Sequence, residues 1–185
     1  LAALYIAQID NAIIEINNEE VPIMDGSSKD FLDSLYTIEN KILNKKRKYI
    51  KILDFVKFTD SQKTISIEPN ETFEVSFELN YENKIIGKQR NTVDFQKDNI
   101  DTVSESRTFC VFKDIEKIKQ AGMAKGGSLS NAIVVDENKV INDGGLRNNK
   151  EFVNHKILDL AGDFLLSGHR VLGKVKCHQG GHELT

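Results

Sequence analysis

At 185 residues the chain is long enough for one full core, or for one domain and part of another. Charged residues make up 29% and hydrophobic ones 39%, an ordinary globular mixture, and a net charge of −3 gives no reason to expect nucleic acid or an anionic membrane as the main partner. No apolar run reaches the roughly 20 residues of a membrane span, and Cys110 and Cys177 are too few for a disulfide framework, which suits a reducing cytoplasm.

The chain opens at Leu1, without an initiating Met, inside a helical pattern (Leu1, Leu4, Ala7), and it stops at Thr185 without a closing element. Both ends read as cut, as in a fragment of a longer protein. Residues 1–8 read as the tail of an apolar helix, and residues 12–16 as a buried strand. Pro22 and Gly26 bracket a short extended piece, and Ser27 or Ser28 can cap a helix over 29–35. Taken alone, Asp25-Gly26-Ser27 is a turn plus a cap. The basic run Lys45-Lys46-Arg47-Lys48 is either a solvated linker near a domain boundary or a contact for an anionic ligand such as a nucleotide diphosphate.

The period then switches to strands, predicted over 49–58, 64–69, 73–81 and 91–95. Phe73, Val75, Phe77 and Leu79 alternate with Glu74, Ser76, Glu78 and Asn80, the pattern of a half-exposed antiparallel strand. A short helix near 97–102, the segment 106–110 and a second helix over 114–121, closed by Gly122, come next. Gly126-Gly127-Ser128 leads into an apolar strand over 132–135, and a turn at 142–145 precedes a long helix. A final strand spans 170–177, and Gly180-Gly181-His182 reads as a flexible loop presenting an imidazole.

The long helix, 151–166, carries the chemistry. Phe152, Val153, Ile157, Leu158, Leu160, Ala161, Phe164 and Leu165 make it apolar around most of its circumference, so it belongs in a core. His155, Asp159 and Asp163 stand four residues apart and stack on one face. A buried carboxylate needs a partner or a metal. Three readings stay open on spacing alone. The first is a polar seam, with Asp159 or Asp163 bonded to Lys156, Arg147 or a backbone cap. In the second, a metal-dependent hydrolase, His155 and Asp159 are neighbouring ligands whose nitrogen and oxygen suit zinc, and a third ligand comes from elsewhere. The third is a non-catalytic metal- or nucleotide-binding module. The hydrolase also needs an acid, for which His182 oriented by Asp163 is the candidate, and oxyanion donors, for which Thr108 and Lys156 are candidates. No base candidate stands out within the chain.

Asp10-Asn11, Val21-Pro22-Ile23-Met24-Asp25-Gly26-Ser27, Arg107-Thr108-Phe109, Gly126-Gly127-Ser128, Val153-Asn154-His155-Lys156-Ile157-Leu158-Asp159 and Gly181-His182 follow one another in an order and spacing that resembles the UDP-3-O-acyl-N-acetylglucosamine deacetylases. These are zinc amidases of lipid A biosynthesis in Gram-negative bacteria, and the resemblance covers essentially the whole chain. It implies an α+β fold of two domains, each a β-α-α-β sandwich with helices layered against sheets. Residues 1–44 would be the C-terminal remnant of an incomplete first domain, and 45–185 the second domain. It further implies His155 and Asp159 as two of three protein ligands to zinc, and Lys156 and Thr108 facing the substrate and its oxyanion. His182, supported by Asp163, would protonate the leaving amine. Phe109 and the segment 114–129, with Gly127, Ser128 and Leu129, would correspond to an insert forming the acyl-chain passage, and Tyr81 to an aromatic ring packed on the uracil. The implied partner is a UDP-sugar with an acyl chain, bound by a cytoplasmic monomer without stable membrane insertion. The family's Glu-His pair, which supplies the general base and the remaining ligand, precedes a Leu-x-Ala-Ala-Leu-like helix and is expected just before Leu1. Cys110 stands where the family has a glycine, and Asn148 where an apolar residue is common.

Overall fold

The computed structural model describes residues 1–120, 122 and 126–185. In chain order its elements are α1 (Ala2–Ile6), α2 (Lys29–Tyr36), β1 (Tyr49–Lys51), β2 (Val56–Asp60), β3 (Lys63–Glu68), β4 (Phe73–Asn80), β5 (Lys88–Asp94), α3 (Asp101–Ser104), β6 (Phe109–Val111), α4 (Ile115–Gln120), β7 (Ile133–Val135), α5 (Glu151–Leu165) and β8 (Arg170–His178). The fold is α+β. Its main sheet runs β2-β3-β8-β4-β5, with β1 paired to the start of β8. Strand β8 lies antiparallel to β3 (Ile65 opposite Cys177) and parallel to β4 (Val75 opposite Val175), while β4 and β5 are antiparallel. A separate parallel pair joins β6 to β7, with Phe109 opposite Ile133.

The alternation in β4 sends Phe73, Val75, Phe77 and Leu79 to a buried face. Helix α5 packs on that side of the sheet through Phe152, Val153, Ile157, Leu158, Leu160 and Ala161, all buried in the same core. Helix α1 packs on α5, and a Cβ at Gly162 would sit 3.1 Å from the backbone nitrogen of Ala2, so the small residue lets the two backbones approach. Tyr5, Phe73, Phe95 and Phe164 join helices and sheet, with ring centroids 5.4–5.6 Å apart in tilted and edge-on pairs. Among the described residues no helix is long and apolar enough to cross a membrane.

Several elements differ from their sequence-based expectation. Residues 12–16 are not a strand: Ile13 is 95% exposed, and the segment joins neither sheet. Its β-branched composition suits a pleated strand, but a strand forms only where a neighbour completes its hydrogen bonds. The stretch 49–58 splits into β1 and β2 because its halves serve different partners, β8 and β3. Strand β4 has a parallel as well as an antiparallel neighbour, and Ser76 on its other face is buried. The helix expected at 97–102 starts later, at Asp101, because side chains shape the preceding turn. Asp94 Oδ1 accepts from the Gln96 amide at 3.0 Å, and Asp98 Oδ2 accepts from the Asp94 amide at 2.8 Å. Of the helix predicted over 114–121, α4 covers Ile115–Gln120, and Ala121 lies outside the described residues.

Phe73 has no exposed surface and touches three other rings. Phe73→Ala should lower unfolding free energy by about 3–5 kcal/mol, measured by urea denaturation followed by circular dichroism. A loss below about 1 kcal/mol would mean that the aromatic cluster does not tie α1 and α5 to the sheet.

Candidate functional site

Helix α5 places its polar residues where the spacing put them. His155 Nε2 stands 3.4 Å from Asp159 Oδ1, and the other oxygen of Asp159 is 3.3 Å from Lys156 Nζ. One turn on, both oxygens of Asp163 lie 2.9 Å from Nδ1 of His182. The side chains of His155, Asp159 and Asp163 are only 12%, 21% and 16% exposed, whereas that of His182 is 69% exposed. His155 Nδ1 lies 3.0 Å from the carbonyl oxygen of Ser106. A carbonyl only accepts, so Nδ1 carries a hydrogen, and Nε2 is the nitrogen turned towards Asp159. Nitrogen and oxygen donors held this way fit zinc. Among the described residues no three or more His, Cys, Asp or Glu converge as a metal cluster. Arg147, an open alternative as partner for Asp159 or Asp163, instead donates to Asp25 Oδ2 and to the carbonyl of Glu105, each at 2.8 Å.

The segment 106–109 runs beside this helix. Its Thr108 amide donates to the Gly26 carbonyl at 2.8 Å, and its Thr108 carbonyl accepts from Ile133 at 2.8 Å. Gly26 adopts φ +84°, and a Cβ there would fall on the Asn131 carbonyl oxygen, so no other residue fits. Asp25 accepts from the Ser27 amide at 2.9 Å, the Ser27 hydroxyl at 2.8 Å and Arg147. Ser27 Oγ in turn accepts from the amide of Lys29, the first residue of α2, at 3.1 Å, while the N-cap residue Ser28 makes no side-chain cap bond. The Asp25-Gly26-Ser27 turn therefore also fixes the backbone that presents Thr108.

A cavity of about 220 Å³ is lined by Lys63, Phe77, Tyr81, Lys156, Gln179 and Gly180. It brings Tyr81 and Lys156 together as candidate substrate contacts. Phe109 stands edge-on to Tyr81 at 5.8 Å and to Phe152 at 5.0 Å. Lys63 escaped the sequence reading because a lysine at the turn into a strand carries no local signal. Glu151 escaped it too, since a glutamate in the first turn of a helix is ordinary capping chemistry. Gly127, Ser128 and Leu129 lie exposed before β7 and engage their own loop: Asn131 Oδ1 accepts from the Ser128 amide, and Leu129 O accepts from Asn142, both at 2.8 Å. Of the expected passage segment 114–129, residues 121 and 123–125 lie outside the described residues. A wider cleft of about 600 Å³, formed by residues 15–22 and Gly126, contains none of the groups on α5.

Residues 1–185 match the family model described as UDP-3-O-acyl N-acetylglycosamine deacetylase. Curated relatives named UDP-3-O-acyl-N-acetylglucosamine deacetylase include those of Geotalea uraniireducens, 40% identical, and Syntrophotalea carbinolica, 41% identical. That of Pseudoalteromonas translucida is 38% identical. All three alignments cover 100% of this chain and 61%, 60% and 62% of the respective relative, so the chain spans about three fifths of their length.

Burial pushes the Asp25 carboxyl up, but hydrogen bonds from the Ser27 amide, Arg147 and the Ser27 hydroxyl outweigh it and hold the group below its ordinary range. A carboxyl depressed on folding contributes stability that is complete above its unfolded value, about 4, and is lost as pH falls through the folded one. Asp25→Asn should therefore be clearly less stable than the parent at about pH 7, with the gap closing towards about pH 3. Urea unfolding across that range measures it, and a gap independent of pH would contradict the ionic role.

Proposed function

The chain belongs to the UDP-3-O-acyl N-acetylglycosamine deacetylase family, and we propose that it carries one part of the active site of a zinc-dependent amidohydrolase. The substrate is UDP-3-O-acyl-N-acetylglucosamine, and the reaction releases acetate in lipid A synthesis. The observation that carries this reading is the face of α5, where His155 and Asp159 form a donor pair one turn from Asp163, which holds His182. Such a face suits a reaction that needs both a polarised carbonyl and a proton for a departing nitrogen.

His155 and Asp159 would hold the zinc ion, with the remaining protein donor supplied from outside these 185 residues. A zinc ion there supplies Lewis acidity to the acetamide carbonyl and to the attacking water. Thr108 and Lys156 face the carbonyl oxygen as its charge develops. Water adds to the carbonyl carbon as its proton passes to a base supplied, like the remaining zinc donor, from outside these residues; the carbon–nitrogen bond breaks, and His182 delivers a proton to the leaving amine while Asp163 fixes its ring. Tyr81 stacks on the uracil, and Lys63 and Lys156, which share its cavity, neutralise the diphosphate. Phe109, Gly127, Ser128 and Leu129 belong to the acyl-chain passage. We assign residues 1–44 to the end of a first domain and 45–185 to a second. Two free cysteines and a UDP-linked substrate suit a monomer in the cytoplasm of a Gram-negative bacterium.

The bare donor pair also favours a second reading, a sugar-nucleotide- or metal-binding relative without catalysis. His182→Ala, made in the intact protein that carries these residues, separates the two. An enzyme should lose at least about 100-fold in turnover while retaining zinc, whereas a binding module should be unaffected. The isolated 185-residue chain should itself show little or no deacetylation. Activity of that chain surviving rigorous removal of host enzyme would overturn the division of the site.

A further inference from the structure

Glu151 has no exposed surface, yet no step of the proposed reaction uses it. Its carboxylate accepts four hydrogen bonds. Arg107 donates its backbone amide at 3.1 Å, Nε at 2.8 Å and Nη2 at 3.2 Å, and the Arg147 amide donates at 2.6 Å. Arg107 Nη2 also reaches the Gly145 carbonyl at 2.8 Å. This is far more than a first-turn glutamate needs for a favourable helix dipole.

The Arg107 amide and the Ser106 carbonyl are the two ends of one planar peptide group. Its N–H points to Glu151, and its C=O points to His155 Nδ1 at 3.0 Å. Glu151 and His155 are one helical turn apart, on the same face of α5. A single rigid plate is thus laid along the helix and bonded to it at both ends, so a rotation that breaks one contact strains the other. Donation of the N–H to a carboxylate also polarises the peptide and makes its carbonyl a better acceptor.

We propose that Glu151 is a positioning residue. Through the 106–107 peptide it holds the Ser106 carbonyl against His155, which fixes the ring with a hydrogen on Nδ1 and with Nε2 turned towards Asp159. The consequence for metal binding rests on the reading of His155 as a ligand; the orientation of the ring does not. A purely structural role would alter the stability of α5 and leave the ring as it is.

Nitrogen-15 NMR of the metal-free chain with labelled histidine tests this. In the parent, His155 should carry a slowly exchanging hydrogen on Nδ1. Glu151→Gln keeps the shape but turns an NH2 group towards donors. It should speed exchange of that hydrogen by about tenfold or more and populate the ring form with hydrogen on Nε2. Val153→Ala weakens the same helix without touching the peptide, and should leave the His155 signals unchanged. If Glu151→Gln does not fold, Glu151→Asp, which withdraws the carboxylate by one methylene, takes its place with the same expectation. A parent ring lacking hydrogen on Nδ1 overturns the proposal, as does a Glu151 variant whose ring matches that of Val153→Ala.

Zinc titration of the same variants, made in the intact protein that carries these residues, provides a separate reading. Affinity should drop about 10- to 100-fold in the Glu151 variant and hold in Val153→Ala. If the intact parent binds no zinc while the ring still responds to Glu151, the metal reading fails and the positioning role stands. If zinc binds and the ring is indifferent, the positioning role fails and the metal reading stands.

Discussion

An apolar helix that carries ionised groups into a core must meet each of them with a partner, and helix α5 does so on one face. Glu151 is met by Arg107 and the Arg147 amide, Asp159 by Lys156 and His155, and Asp163 by His182. None of these partners sits on the sheet that α5 covers. They come from the segment 105–108, from the turn before α5, from α5 itself and from the turn after β8. Desolvation is costly enough that the carboxylates cannot tolerate a loose arrangement of those segments. The face that would do chemistry is therefore also the face that organises the loops around it.

The loops hold one another in turn. Gly26 presses its backbone against Asn131, the Gly26 carbonyl receives the Thr108 amide, and Thr108 continues into β6. Arg147, just before α5, reaches back to Asp25 and to the Glu105 carbonyl. Three segments distant in sequence, around residues 25, 106 and 130, thereby meet at the start of α5 through backbone contacts that side-chain substitution elsewhere would not disturb. A glycine at 26 is required because the site brings two backbones closer than any Cβ allows.

Much of this was legible beforehand because its signals are periodic. Alternation identified β4, the apolar circumference identified α5, and four-residue spacing put His155, Asp159 and Asp163 on one face. What escaped the sequence depends on partners remote along the chain. An isoleucine-rich run at 12–16 could not reveal that it would have no strand beside it, and 49–58 could not reveal that its two ends pair with different strands. The parallel neighbour of β4 is invisible to a period that is the same in both orientations. Glu151 shows the same limit at the level of one side chain. Its type and place fit a helix start, and only the fold reveals that its acceptors are turned inward to Arg107.

The two imidazoles of the candidate site illustrate how partners assign work to identical groups. His155 is backed by a neutral peptide carbonyl and largely covered, which fixes one nitrogen as a donor and turns the other towards Asp159. His182 is backed by a carboxylate and open to solvent. The chain places these unlike rings against residues one turn apart on α5, His155 itself standing next to Asp159 and His182 reaching Asp163. Exchanging their backing, a carboxylate behind His155 and a carbonyl behind His182, would leave every side-chain identity in place and change what each ring nitrogen faces.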